Sequence, residues 1–165
     1  MMSFNTPLIE KTEKFVREFL SKNFSDKICY HNIDHTLEVV KAAEKIGRNC
    51  GLQDEELEIC ILAAWFHDTG YYKGNVDHEE ESSNIAFEFL DSLDVHPEKI
   101  EKVVGCIKAT KIPQNPQCLL EKVLCDADLF HLSTNKFFSK SELLRKELVY
   151  HHCHISPKSW MTKSC

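Results

Sequence analysis

Three short segments of the sequence place histidine and aspartate inside otherwise apolar stretches. The side chains concerned are His31 and His35 in YHNIDH, His67 and Asp68 in FHDTGY, and Asp126 and Asp128 in DADL. Imidazole nitrogen together with carboxylate oxygen is a ligand set that suits divalent transition metals. The three segments therefore indicate a metal site that the fold would have to assemble from separate parts of the chain.

Each segment also has a purely structural explanation when it is taken alone. His31 and His35 are four residues apart, so they share one helix face and would serve equally as hydrogen-bonded core histidines. His67 at the end of a helix interacts favourably with the helix dipole. Asp126 and Asp128 flank the apolar centre of their segment at about equal angles, so helical periodicity does not choose between them.

The elements that would carry these residues are helices. Apolar residues recur with helical spacing over about 7–22, 32–49, 54–68, 78–93, 97–110 and 118–132, with a seventh segment at about 139–151. Thr6 is the predicted N-cap of the first helix, with Pro7 at its first position, and Gly51 lies just beyond the second. No repeat or linker interrupts the pattern. We expect one all-α helical bundle of six to seven helices, a single domain over 1–165 with its core at about 7–150.

The third predicted helix differs from the others because its segment ICILAAWF is apolar on every side. Such a helix is buried all round. It would deliver His67 and Asp68 into the core, where unpaired polar groups are costly. A bound metal ion would compensate this cost.

The composition narrows the class of protein. The chain has 165 residues, 42% hydrophobic and 28% charged, with a net charge of -6. This acidity disfavours strong nucleic-acid binding, which depends on Lys and Arg. The eight cysteines form no C-x-x-C pair, the N-terminus lacks the apolar core of a signal peptide, and the longest apolar run, Ile59 to Phe66, is too short to span a bilayer. We expect a cytoplasmic protein with free thiols and no membrane association; a disulfide-rich secreted scaffold is the alternative.

Taken together, the segments resemble the HD-domain superfamily of metal-dependent phosphohydrolases over roughly Tyr30 to Leu132. The motifs that carry the resemblance are the HT at His35, FHDTGY with the following HEEES, and DADL. The resemblance implies a divalent metal ion (Mn, Fe, Zn, Ni, Co or Mg) held by His35, His67, Asp68 and Asp128. Asp128 is preferred over Asp126 by the resemblance alone, and Asp126 is then expected to contact the substrate or a second metal.

Two further histidines acquire expected roles through the same resemblance. YHNIDH is similar to the YHNxxH signature of the cyclic-nucleotide phosphodiesterase branch, in which the first histidine protonates the leaving oxygen. His31 is therefore the predicted general acid and, with Asp68, a predicted catalytic residue. His78, eleven residues after His67, is expected to bind a second metal or the substrate phosphate, with an exposed helix start as the alternative.

The implied reaction is hydrolysis of a phosphate ester of a small, nucleotide-like substrate by metal-activated water. Lys73, Lys108 and Lys111 are candidates to hold phosphate charge, and nothing in the sequence selects one. A nucleotidase or nucleotide pyrophosphatase competes with a cyclic phosphodiesterase. A catalytically silent HD module that binds a nucleotide or partner would also account for these residues, as would a purely structural bundle.

The end of the chain departs from the family pattern. The cluster HHCHIS (His151–Ser156) has no second pair of ligands to complete a zinc site, so we interpret it as a polar tail. Members of such families usually continue with further helix, whereas this sequence stops at Cys165. A shortened C-terminus would leave the pocket partly open or completed by a partner chain, which keeps a homo-oligomer open.

Overall fold

The computed structural model describes residues 4–74, 76–133, 135 and 137–150. Within these residues the chain forms seven α-helices and no strand: α1 (Pro7–Asn23), α2 (Ile33–Asn49), α3 (Asp54–Phe66), α4 (His78–Asp91), α5 (Pro97–Ala109), α6 (Leu119–Asp128) and α7 (Phe137–Tyr150). Short 3-10 turns, Thr69–Lys73 and Phe130–Ser133, follow α3 and α6. The predicted all-α helical fold is confirmed. The predicted polar tail, HHCHIS included, lies outside the described residues.

Helix α3 lies at the centre of the bundle. Every residue from Leu57 to Phe66 is buried, and α1, α2, α4, α5 and α6 all pack against it. Glu58 is the charged residue in this stretch, and it accepts hydrogen bonds from Lys99 and from the hydroxyl of Thr6. The apolar circumference read from the sequence is thus covered by neighbours on all sides, as a helix without a polar face requires.

The helix starts agree with the local chemistry of the sequence. The Thr6 hydroxyl oxygen accepts a hydrogen bond from the N–H of Ile9 (3.2 Å), which caps α1. The side-chain oxygen of Asn32 accepts from two N–H groups at the start of α2. Gly51 follows α2 with φ of +78°, a left-handed conformation that glycine adopts without steric cost.

The predicted ends of two helices are wrong. Helix α3 ends at Phe66, before His67 and Asp68, and α6 ends at Asp128 instead of continuing to Leu132. After Asp128 the backbone hydrogen bonds change from the α-helical to the tighter 3-10 spacing, as in the bond from Leu132 N–H to Leu129 O (2.9 Å). The apolar pattern continues across this change, so periodicity alone misses it.

The described residues also test what the composition predicts about membrane association and about the cysteines. No helix there is long and apolar enough to cross a membrane. The six cysteines within it carry free thiols, and three of them are buried in the core, namely Cys60, Cys106 and Cys125.

Candidate metal centre

His35 reaches the interior from the first turn of α2. The Asn32 side chain fixes this turn by accepting from the backbone N–H groups of Asp34 (3.0 Å) and His35 (3.1 Å). The ring of Tyr30 packs on the His35 imidazole, with 4.7 Å between centroids, and His35 is 1% exposed. The cap and the aromatic contact together hold the imidazole toward the core.

His67 and Asp68 follow directly on the buried helix α3. The His67 N–H completes the last turn by donating to Ala63 O (2.9 Å), and its Nδ1 lies 2.8 Å from Ala64 O. Because a carbonyl oxygen only accepts, Nδ1 donates its proton to Ala64 O, and this orients Nε2 toward the interior. Asp68 begins the 3-10 turn and is 6% exposed.

Asp128 joins this group from the last turn of α6. Its Oδ1 lies 3.3 Å from His35 Nε2 and 3.7 Å from His67 Nε2. Asp126 is exposed on another face of the same helix. The two aspartates that periodicity left equal are therefore placed differently, and it is Asp128 that stands beside the histidines. The expected substrate or second-metal role of Asp126 finds no support in this placement.

The two imidazoles and two carboxylates converge without hydrogen-bonding to one another. Asp68 Oδ2 lies 3.0 Å from His67 Nε2 and 3.3 Å from His35 Nε2. Within the described residues, both Nε2 atoms and Asp68 Oδ2 are nevertheless buried without a hydrogen-bond partner. The atoms are close, but their directions are not those of hydrogen bonds. Orphaned buried polar atoms of this kind require a partner that the protein itself does not supply.

The separations between these atoms fit ligands around one ion. Atoms bound at about 2.1 Å to a common metal lie about 3.0 Å apart at a right angle and about 3.4 Å apart at the tetrahedral angle. The four distances among His35, His67, Asp68 and Asp128 span 3.0 to 3.7 Å. One ligand atom each from His35, His67 and Asp128 lies within 4.8 Å of the other two. The donor set and its spacing therefore suit a divalent metal ion, although the second nitrogen of His35 finds none of the usual hydrogen-bond partners among the residues that the structure describes.

The electrostatics of this group are those of strongly interacting opposite charges. Burial alone would lower the pKa of His35 and His67, but the adjacent carboxylates outweigh it and hold both pKa values above the ordinary range. Burial would raise the pKa of Asp68 and Asp128, yet the imidazoles hold both below the usual value. The imidazoles and the carboxylates thus stabilise each other's charged forms. A dication would take over that charge balance, because metal binding displaces protons from its ligands.

His31 lies next to this group and is held by a carboxylate that the sequence motifs do not reveal. Glu147 on α7 is fully buried, and it accepts hydrogen bonds from the N–H groups of Tyr30 (2.8 Å) and His31 (3.2 Å). Its second oxygen pairs with His31 Nδ1. The His31 ring stacks on Tyr71 (3.8 Å between centroids) and lies 6.0 Å from the His35 ring. This pairing engages Nδ1 and leaves Nε2 as the second ring nitrogen of His31.

The position of His78 depends on a close approach of backbone at Gly70. A Cβ there would lie 2.3 Å from His78 O and 2.6 Å from Ser82 N, so only glycine lets the turn after Asp68 dock on the start of α4. The docked turn brings His78 Nε2 to 3.5 Å from Asp68 Oδ1. His78 is therefore adjacent to the candidate metal centre, and its role toward a second metal or the substrate phosphate stays a prediction.

The three lysines considered from sequence are not brought to the centre. They pair with carboxylates in and before α4: Lys73 with Glu81, Lys108 with Glu80 and Lys111 with Asp77.

Other residues near the centre were not predicted. Lys140 on α7 pairs with Glu38 (2.8 Å) and lies 6.0 Å from the ring centroid of Tyr30, whose hydroxyl is 3.2 Å from His131 Nδ1. A signal for Glu147 does exist, since it follows Leu143 and Leu144 at helical spacing and so shares their apolar face.

Comparison with known proteins points to one family. Residues 32–133, more than half of the chain, match the HD domain family. A predicted HD superfamily hydrolase from an uncultured Thermotogales bacterium has a similar structure, with a TM-score of 0.66 and 23% identity over 88% of this chain and 86% of that one. A Lactobacillus plantarum protein gives a TM-score of 0.69 and 16% identity over 88% of this chain and 66% of that one. No curated protein matches significantly in sequence.

Proposed function

The chain belongs to the HD domain family, and on that premise we propose that it is a metal-dependent phosphohydrolase that cleaves a phosphate ester of a small nucleotide-like substrate. One observation carries the proposal. Two buried imidazoles and two carboxylates from three separate segments converge, and three of their polar atoms lack any hydrogen-bond partner within the described residues. A cluster with a purely structural role would be expected to satisfy those atoms internally.

The proposed ligands are His35, His67, Asp68 and Asp128. A divalent cation bound there supplies Lewis acidity toward the phosphoryl oxygens and lowers the pKa of a water. The protein contributes rigidity, because His67 and Asp68 follow the helix at the centre of the core and His35 is fixed by the Asn32 cap. Fixed ligands keep the charge of the site in place as negative charge develops on the substrate.

His31 is the proposed general acid. The ionised carboxylate of Glu147 accepts a hydrogen bond from the Nδ1–H of His31, and this leaves Nε2 to donate a proton to the leaving oxygen. Stacking on Tyr71 restricts rotation of the imidazole. His78, beside Asp68, is proposed to contact the substrate phosphate or a second ion.

Replacement of Asp68 by alanine tests the proposal. Metal content after purification without chelator, and hydrolysis of a panel of phosphate esters with added Mn²⁺, should both be lost in Asp68→Ala. The matched control is Asp91→Ala, which removes an exposed carboxylate at the end of α4 and should keep both properties. Full turnover by Asp68→Ala would show that the site is assigned wrongly.

The choice of substrates separates the rival activities. Cyclic nucleotides, nucleoside monophosphates and nucleoside triphosphates distinguish a phosphodiesterase, a nucleotidase and a pyrophosphatase. Stoichiometric metal with no turnover on any ester would instead favour a silent module that binds without hydrolysing. Absence of bound metal under all conditions would favour a structural bundle.

A further inference from the structure

A cavity of about 320 Å³ opens directly beside the candidate metal centre, between α2 and the segment that joins α6 to the following 3-10 turn. Its lining combines the apolar side chains of Val39, Ala42, Ala127 and Phe130 with polar ones, among them His35, Glu38, Asp128 and His131. Two of the proposed metal ligands, His35 and Asp128, are thus part of the cavity wall. A ligand in this cavity would have one end at the metal centre.

The cavity follows one face of α2 away from the centre. His35, Val39 and Ala42 are spaced four and three residues apart, so they form a continuous stripe. Ala42 lies about 10 Å further along the axis than His35, because an α-helix rises about 1.5 Å per residue. Beyond His35, this stripe therefore contributes the small apolar side chains of Val39 and Ala42 to the cavity lining.

An aromatic ring stands beside this apolar part. Phe130 lines the cavity and is still 36% exposed, so ring surface is open to a second flat group. The ammonium group of Lys45 lies 5.5 Å from the centroid of the Phe130 ring, which steadies the ring through a cation–π contact. Lys41 and Lys45 also line the cavity, so two ammonium groups that donate hydrogen bonds lie beside it. The chain as a whole has a negative net charge.

We propose that this cavity holds the nucleoside part of a nucleoside monophosphate, with its base packed on Phe130 and its phosphate at the His35 and Asp128 end. The inference rests on the proposed function for the position of the phosphate. The volume lies at the lower end of the range for small-molecule sites, which suits one nucleotide unit rather than a longer chain. The apolar part of the lining and the exposed ring of Phe130 favour a flat base, and Lys41 and Lys45 favour its carbonyl oxygens or the sugar hydroxyls.

The test compares ligands that differ only in the base. Nucleoside 5′-monophosphates with each of the four common bases, and ribose 5-phosphate, are titrated by calorimetry into the wild-type protein and into Phe130→Ala. We expect at least one nucleotide to bind the wild type about tenfold or more tightly than ribose 5-phosphate does, the scale of one base–aromatic stack. Phe130→Ala should lose that advantage and keep its affinity for ribose 5-phosphate.

The control variant is Phe87→Ala, which removes a 52% exposed phenylalanine from α4 and should bind every ligand as the wild type does. Equal nucleotide affinity in wild type and Phe130→Ala would overturn the inference, and so would a wild type that binds no nucleotide better than ribose 5-phosphate. Hydrolysis is measured in parallel. Base-dependent binding through Phe130 without turnover of any ligand would uphold the subsite and reject the proposed hydrolase.

Discussion

Replacement of Glu147 by glutamine tests how α7 contributes to the site. The buried carboxylate accepts from two backbone N–H groups, those of Tyr30 (2.8 Å) and His31 (3.2 Å), and pairs with His31 Nδ1. Glutamine keeps the size of the side chain, but it exchanges one acceptor oxygen for an NH₂ donor. The three donors can then no longer all be satisfied, and the His31 imidazole loses its anchor.

The size of the effect follows from the interaction removed. A hydrogen bond to a charged group contributes about 1.5–3 kcal/mol net. If the whole of this free energy serves to hold His31 for proton donation, kcat falls about 10- to 150-fold, since about 1.4 kcal/mol corresponds to a factor of ten in rate. This loss reaches only the lower end of the contribution of about 10²–10⁴ typical of a general acid, because Glu147 positions His31 and does not itself donate the proton. KM should change little, because Glu147 is fully buried and does not line the cavity beside the metal centre.

The assay separates positioning of His31 from general damage to the fold. An alkyl phosphate has a poor leaving group that needs a proton, whereas p-nitrophenyl phosphate releases a stable anion that does not. Glu147→Gln should therefore be slow on the alkyl ester and close to wild type on the nitrophenyl ester. Glu142→Gln, a half-exposed position on α7 paired with Arg145, is the control. Equal losses on both esters, or no loss on either, would refute the role of Glu147.

The same variant makes a prediction for stability and pH. Burial would raise the pKa of Glu147, but the hydrogen bonds from His31 and the backbone outweigh it, so the pKa in the folded protein is lowered. A lowered carboxyl pKa stabilises the fold at pH above the unfolded value of about 4.3, and this stabilisation is lost as the pH falls through the folded value. The difference in unfolding free energy between wild type and Glu147→Gln should shrink between pH 7 and pH 3 in urea titrations. An unchanged difference would contradict the ionised, bonded state of Glu147.

The remaining predictions concern the neighbourhood of the metal centre. Asp128→Ala should lower the affinity for Mn²⁺ about 10-fold or more, which is the scale of effects at metal sites. Asp126→Ala should bind Mn²⁺ as tightly as the wild type. Equal Mn²⁺ affinities of the two variants in titrations would contradict the assignment of Asp128 as a ligand. Gly70→Ala should lower the unfolding free energy by about 1–3 kcal/mol, because the added Cβ would clash with backbone atoms of His78 and Ser82. Thermal denaturation measures this loss. A melting temperature equal to that of the wild type would show that the turn can shift. His78→Ala should retain the first metal ion and lose either affinity for phosphate or a second ion. Competition with inorganic phosphate measures the affinity, and metal analysis counts the ions. Unchanged phosphate affinity together with unchanged metal content would show that His78 does not belong to the site.

Helical periodicity and motif order predict much of this protein because they depend on local physics. The apolar circumference of α3 predicts its central position, and the predicted N-cap Thr6 makes its hydrogen bond within one turn. His67 and Asp68 could be predicted as a pair delivered to the core because they directly follow this helix. The HD-domain resemblance is confirmed by the family match.

The residues that escaped prediction depend on contacts distant in sequence. Glu147 meets His31 from 116 residues away, and no periodicity within α7 shows which residue it will meet. Asp128 could not be distinguished from Asp126 because both lie within α6 at similar angles from its apolar face, and the packing of α6 against α2 and α3 decides which of them is covered. The cavity beside Phe130 likewise arises only when α2 packs against the segment after α6.

A crystal structure of the protein grown with Mn²⁺, with anomalous diffraction data that locate the metal, tests the central claim most directly. The account predicts an anomalous peak contacted by Nε2 of His35, Nε2 of His67, and carboxylate oxygens of Asp68 and Asp128. A peak at another position, or crystals grown at saturating Mn²⁺ with no peak among these four side chains, would contradict it.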